Sequence, residues 1–347
     1  MQLTGHGAEV FTVKFSPVAS SDNNTAAALA SGGADRCVLL WRPRGEHEEE
    51  DDGSQAPGEW TSYALMRGHR NAVLEVAWFS DGERLASAGA DGSVRLWDAP
   101  SGSQVRRLAR GVRGAVNCCA PHGAQLLAAG GDDGLVRVWD GRQRRPAHVL
   151  ASGGGVGAAN GGGGNDDQRQ PPRRPTSGAF PVTSVAWSLA GDQLFSAGVA
   201  EAIDCWDLRR GAVAARLQGH ADTVTGLAPS PDGASLLSNS MDGSLRIWDA
   251  RPFVPEGKDR CLKALAGHSH SRAERALLRC AWSADGARVT AGSADRTVYV
   301  WCARSRELLY ALPGHRGVVH ESVFHPNEPV LASCSSDRTI YLGELAD

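Results

Sequence analysis

This 347-residue sequence predicts an all-β fold of seven repeated units, each built from four short strands, and three observations predict it. Short apolar runs close on Trp41, Trp97, Trp139, Trp206, Trp248 and Trp301, and a seventh run, residues 340–343, ends on Gly343 with the ring lost. The closing positions are separated by 56, 42, 67, 42, 53 and 42 residues, a period of 42 carrying insertions of 14, 25 and 11. Periods of this length mark repeats whose units bury their apolar faces only against one another. Six residues before each closing position stands an aspartate, namely Asp35, Asp91, Asp133, Asp242, Asp295 or Asp337, with Ala200 the exception.

Within a unit each strand follows from local chemistry. Asp91-Gly92, Asp133-Gly134 and Asp242-Gly243 suit tight hairpins, whose positive φ angles Gly and Asp tolerate. They join the second strand to the third, which carries the tryptophan. Upstream, runs such as 73–79 and 84–87 are joined by Ser80-Asp81-Gly82, and the matching turn of unit five is Pro231-Asp232-Gly233. A fourth run, such as 308–312, precedes a Gly-His pair. Those pairs are Gly5-His6, Gly68-His69, Gly219-His220, Gly267-His268 and Gly314-His315; unit three has Gly111-Val112, and unit four has Gly178 in the histidine position.

Composition narrows the function classes. Hydrophobic residues at 41% and charged residues at 22% are ordinary globular usage, and no apolar run approaches the roughly 18 residues of a spanning helix. The start, Met1 to His6, lacks the basic and apolar regions of a signal peptide. None of the eight cysteines forms a CxxC pair; Cys205, Cys280, Cys302 and Cys334 fall in strand-like runs and read as small apolar residues of an intracellular, reducing-compartment protein. The net charge of −3 includes −6 from Glu46, Glu48, Glu49, Glu50, Asp51 and Asp52, which leaves about +3 on the rest.

The period, together with the 28-residue spacing from Gly-His to Trp-Asp in units two and five, resembles the WD-repeat family. The resemblance implies a seven-bladed WD40 β-propeller over residues 1–347, its blades surrounding a channel. Closing the ring requires residues 1–4 to supply the outer strand of the last blade, removing an edge that invites aggregation. So short a strand makes this seam the first place expected to fray. Three insertions are placed between third and fourth strands: residues 45–58, mostly acidic; residues 152–178, rich in Gly, Pro and Arg; and residues 251–260. The first two lack apolar content and read as mobile linkers.

A histidine, a serine and an aspartate together suggest a nucleophilic triad. Repetition argues otherwise. His6, Ser31, Asp35 and Trp41; His69, Ser87, Asp91 and Trp97; and His220, Ser238, Asp242 and Trp248 repeat one set, whereas an enzyme needs one site. The family resemblance implies a buried structural network, weakened where Ala129 and Ala291 replace the serine and in unit four. Of ten tryptophans six close repeats, Trp78, Trp187 and Trp282 share one first-strand position, and Trp60 extends the outer strand of unit one. Residues 153–164 have neither the lysine nor the following helix of a phosphate loop. No catalytic residue, cofactor or metal is expected.

Finer resemblance narrows the family. Residues 219–227, 236–242 and 246–253, with Leu277-Leu278-Arg279-Cys280, residues 292–301, Phe324-His325-Pro326 and the ending through Gly343-Glu344, resemble the forty-kilodalton WD-repeat subunits of the U5 small nuclear ribonucleoprotein. The resemblance implies a nuclear, non-catalytic scaffold in pre-mRNA splicing that docks on the large central U5 protein, with RNA contact indirect and no membrane or small-molecule substrate. A second reading rests on Trp-Asp-x-Arg at Trp139–Arg142, Trp206–Arg209 and Trp248–Arg251, which resembles the box of cullin-4 ubiquitin-ligase receptors. Partner candidates are Met241, Arg296, Ser336 and Arg338 on the mouth carrying the aspartate turns, and Arg251 and Phe253 on the opposite mouth, since interface hot spots favour arginine and aromatic rings.

Overall fold

The computed structural model describes residues 1–17, 28–44, 60–108, 112–143, 145–153, 179–254, 259–270 and 276–345. Its 28 strands form seven antiparallel four-stranded sheets. The inner strands, Val10–Phe15, Val73–Trp78, Val116–His122, Val182–Trp187, Val224–Pro229, Cys280–Trp282 and Val319–Phe324, each touch the next, and the last touches the first. The fold is therefore a closed seven-bladed β-propeller. Because successive strands are antiparallel, the Gly-His loops and aspartate turns share one mouth of the ring, the turn mouth. The remaining two loops of each blade share the far mouth.

The core lies between blades. Ala30, Val38 and Leu40 of blade one pack on Val73, Val76, Leu85 and Trp97 of blade two, and comparable clusters recur around the ring. No single sheet could bury both its faces, so each blade stabilises its neighbours. Trp78, Trp187 and Trp282 reinforce this seam-by-seam packing: each indole N–H donates to an inner-strand carbonyl of the preceding blade, that of Lys14, Ala120 or Ala228, at 2.8–3.0 Å. Trp60 opens the outer strand Trp60–Arg67 and meets Phe15 edge-on.

At the closure, Gln2–Thr4 pairs with Thr339–Glu344 in the register Gln2↔Tyr341, Leu3↔Ile340, Thr4↔Thr339. Leu3 is buried among Val10, Leu29 and Ile340, and the Met1 ammonium donates to the Leu342 carbonyl at 2.7 Å. The short strand is thus anchored by an apolar plug and by a terminal charge.

One insertion lies elsewhere than the spacing suggested. The outer strand of blade three is His148–Ala151, paired directly with Leu135–Val138, so the long Gly/Pro/Arg-rich insertion follows the fourth strand and joins blade three to blade four on the turn mouth. Counting from tryptophan to tryptophan could not tell a long third-to-fourth loop from a long connection between blades. Ser152 also belongs to the ordered blade: it is buried, its N–H reaches the Gly134 carbonyl and its hydroxyl reaches the Phe180 carbonyl. Residues 45–58 and 154–178, read as mobile linkers, lie outside the described residues. The other two loops do join third and fourth strands, in blades one and five.

Candidate functional site

The repeated polar set forms one chain of hydrogen bonds per blade. In blade five Trp248 Nε1 donates to Ser238 Oγ at 2.7 Å, Ser238 lies 2.7 Å from His220 Nε2, and His220 Nδ1 lies 2.8 Å from Asp242. An indole N–H can only donate, so the serine oxygen accepts from it and gives its own proton to Nε2. The imidazole then carries its proton on Nδ1, facing the carboxylate. Every donor is used, and the serine is no free nucleophile. Blade one repeats the chain with His6, Ser31, Asp35 and Trp41, and blade two with His69, Ser87, Asp91 and Trp97. Burial works against ionisation of Asp91 and Asp242, yet hydrogen bonds from the histidine and from Ser93 or Ser244 outweigh it and hold both carboxyls well below the usual range. Burial lowers the pKa of His69 against the pull of Asp91, which favours the neutral ring.

The other blades vary the scheme. Blade seven keeps His315, Ser333 and Asp337 without a tryptophan, and Tyr341 meets His315 edge-on at 4.5 Å. Blade four keeps only Trp206 on Ser196 at 2.8 Å. In blade six, where Ala291 replaces the serine, His268 Nε2 turns to Asn239 of blade five at 2.8 Å and Asp295 accepts from the Tyr299 hydroxyl.

A second polar layer crosses the channel at the third position of the inner strands, occupied by Glu75 in blade two and Glu321 in blade seven. Arg279, just before the short inner strand of blade six, donates to the carbonyls of Thr183, Thr225 and Asn117 at 2.8–2.9 Å and pairs with Glu75 at 3.6 Å. Those three carbonyls belong to residues skipped by β-bulges, where ladder pairing is broken and an acceptor is left over. Glu321 accepts from Thr12 Oγ1 and the Val13 amide at 2.8 and 2.9 Å, and also from Lys14. Burial raises the Glu75 pKa; it would lower that of Lys14, but Glu321 and Glu75 hold Lys14 above its ordinary value. Sequence reading missed this brace. The signal was there: a charge at the third position of an otherwise apolar inner strand, in 73–78 and in 319–324, with Arg279 in the corresponding run.

The brace lies between two cavities. One, of about 430 Å³, opens on the turn mouth between Phe11, Leu74, Leu277, Val318 and His320. The other, of about 520 Å³, opens on the far mouth beside Lys14, Trp187 and Trp282. Among the described residues no group of three or more His, Cys, Asp or Glu side chains could hold a metal ion.

The partner candidates divide between the mouths. Met241, Arg296, Ser336 and Arg338 sit in the aspartate turns of blades five, six and seven, with both arginines exposed and Met241 and Ser336 half-buried. Phe253 is 94% exposed in the far-mouth loop of blade five. Beside it, Arg251 is held by both carboxylate oxygens of Asp249.

The model of the WD domain, G-beta repeat, matches residues 1–42, 60–98, 102–140, 211–249, 259–302 and 306–342. The longest stretch it passes over, residues 141–210, contains the first three strands of blade four, the blade that lacks both the histidine and the aspartate. Across 99% of its length the chain is 40% identical to the U5 small nuclear ribonucleoprotein 40 kDa protein of Homo sapiens and 38% identical to that of Dictyostelium discoideum, covering 83% and 84% of those proteins. It belongs to this U5 40 kDa family of WD-repeat proteins. The pre-mRNA-splicing factor cwf17 of Schizosaccharomyces pombe is 36% identical over 99% of the chain and 87% of its own length. These matches run the length of the ring, blade four included.

Proposed function

We propose that this chain is a nuclear, non-catalytic interaction scaffold of the U5 small nuclear ribonucleoprotein in pre-mRNA splicing, docking on the large central protein of that particle. The observation that carries the reading is identity of 36–40% along 99% of the chain to proteins named for the U5 particle or for pre-mRNA splicing. The polar networks support a scaffold rather than an enzyme, since Ser31, Ser87, Ser238 and Ser333 are each bonded to a histidine, the first three to a tryptophan as well, and Ser196 accepts from Trp206. Docking uses Met241, Arg296, Ser336 and Arg338 on the turn mouth, with Arg251 and Phe253 on the far mouth. Affinity purification of the tagged chain from nuclear extract tests the proposal. The expected result is recovery of U5 proteins; recovery of cullin-ligase adaptors without them would overturn it in favour of the Trp-Asp-x-Arg reading.

A further inference from the structure

Five exposed arginines, Arg296, Arg316, Arg338, Arg36 and Arg70, stand on the turn mouth of blades six, seven, one and two. The cavity on that mouth is not central: its walls come from the same four blades, through Leu277, Val318, His320, Phe11 and Leu74. We infer that this arc is a docking site for an acidic protein segment bearing one apolar side chain, the side chain entering the cavity and the flanking carboxylates meeting the arginines. The inference deepens the scaffold reading by giving one of its partners a chemistry.

Three of the four carboxylates of these turns, Asp35, Asp91 and Asp337, face inward, Asp295 is exposed, and the guanidinium groups face out. Asp35, Asp91 and Asp337 are bound by His6, His69 and His315, their side chains 18%, 4% and 9% exposed, and Asp295 is bound by Tyr299. Glu9 is the exposed carboxylate on the cavity wall. Backbone geometry marks the arginines independently. Arg36, Arg296 and Arg338 hold φ angles of 69°, 72° and 72°, in turn positions where blades two, three and five place Gly92, Gly134 and Gly243 at 68°, 72° and 79°. A side chain in this left-handed region is strained where glycine is not, and three neighbouring blades carry that strain for an exposed guanidinium. Inside the cavity His320 is buried, and its Nε2 has no hydrogen-bond partner. A nucleic-acid strand fits less well, because the ring in the cavity wall, Phe11, lies edge-on against His320 instead of open for base stacking.

Fluorescence anisotropy on the purified full chain tests the site without any splicing component, so its outcome is separate from that of the purification above. The probes are labelled twelve-residue peptides with Leu, Phe, Met or Gly between two blocks of Glu, their Gln counterparts, and a twelve-nucleotide oligouridine. The expected result is saturable binding of at least one apolar-centred Glu peptide, weaker with Gly at the centre and lost with Gln. The double variant Arg36→Gly, Arg338→Gly should weaken that binding about tenfold. Since glycine suits both turns, its melting temperature should hold or rise, which separates lost contacts from lost fold. The inference is overturned if Glu peptides bind no better than Gln peptides, if the double variant binds as well as the parent, or if oligouridine binds more tightly than every peptide.

Discussion

Blades four and five share one four-strand plan and differ in what holds their turns. Blade five has the full chain from Trp248 through Ser238 and His220 to Asp242. Blade four has Ala200 for the aspartate and keeps only the link from Trp206 to Ser196. Its turn nevertheless closes by the same backbone bond, Val199 N–H to the Pro181 carbonyl at 3.2 Å, against Met241 N–H to the Thr223 carbonyl at 2.9 Å in blade five. Both tryptophans are buried between blades, Trp206 with Val138, Leu150 and Leu194, and Trp248 with Ile203, Phe195 and Leu236. Interblade packing is thus common to both, and the histidine and aspartate are an addition that fixes one mouth of one blade.

The largest expected effect tests the shared part. Trp248→Ala and Trp206→Ala should each cost about 3–5 kcal/mol, the range for emptying a buried ring site, as read from urea unfolding; a small loss at Trp206 alone would mean that blade four is held by something else. Next comes the difference between them. Asp242→Ala leaves His220 Nδ1 and the Ala221 amide without their acceptor and should cost about 1–3 kcal/mol. Ala200→Asp in blade four, with no histidine opposite it, should change stability by less than about 0.5 kcal/mol.

A further prediction concerns acid. Burial pushes His268, His270 and His320 of blades six and seven down to about 4. The unfolded chain takes up these protons near pH 6.5 and the folded chain only near 4, so in that interval the unfolded state binds more protons. Stability is full above about 6.5 and falls with pH toward 4. Thermal melts at intervals between pH 7.5 and 4.5 should show the fall, and His320→Gln should make it shallower. Blade four has no histidine in its strands to contribute.

Much of this was legible in the sequence, for a physical reason. Interblade packing uses a ring at one position in six blades and the hairpin turn uses an aspartate six residues earlier in six, so both recur with the period. Single-copy features do not announce themselves that way. The brace of Arg279, Glu75 and Glu321 joins inner strands from distant parts of the chain, and only closure of the ring brings them together. The redirection of His268 to Asn239 likewise crosses a blade boundary. The misplaced insertion shows the opposite weakness: periodicity counts residues between tryptophans but does not say on which side of the outer strand the extra ones fall.

Under the proposed function the groups that hold the ring and those that meet partners are separate, and blade five would contain both within a dozen residues. Recovery of U5 proteins per mole of folded bait, measured at a temperature where each bait is folded, tests that separation with Asp242→Ala and Phe253→Ala. The account predicts that Asp242→Ala melts lower yet recovers U5 proteins normally, whereas Phe253→Ala, whose ring is 94% exposed, melts with the parent and recovers less. A lowered melting temperature for Phe253→Ala with undiminished recovery would contradict it.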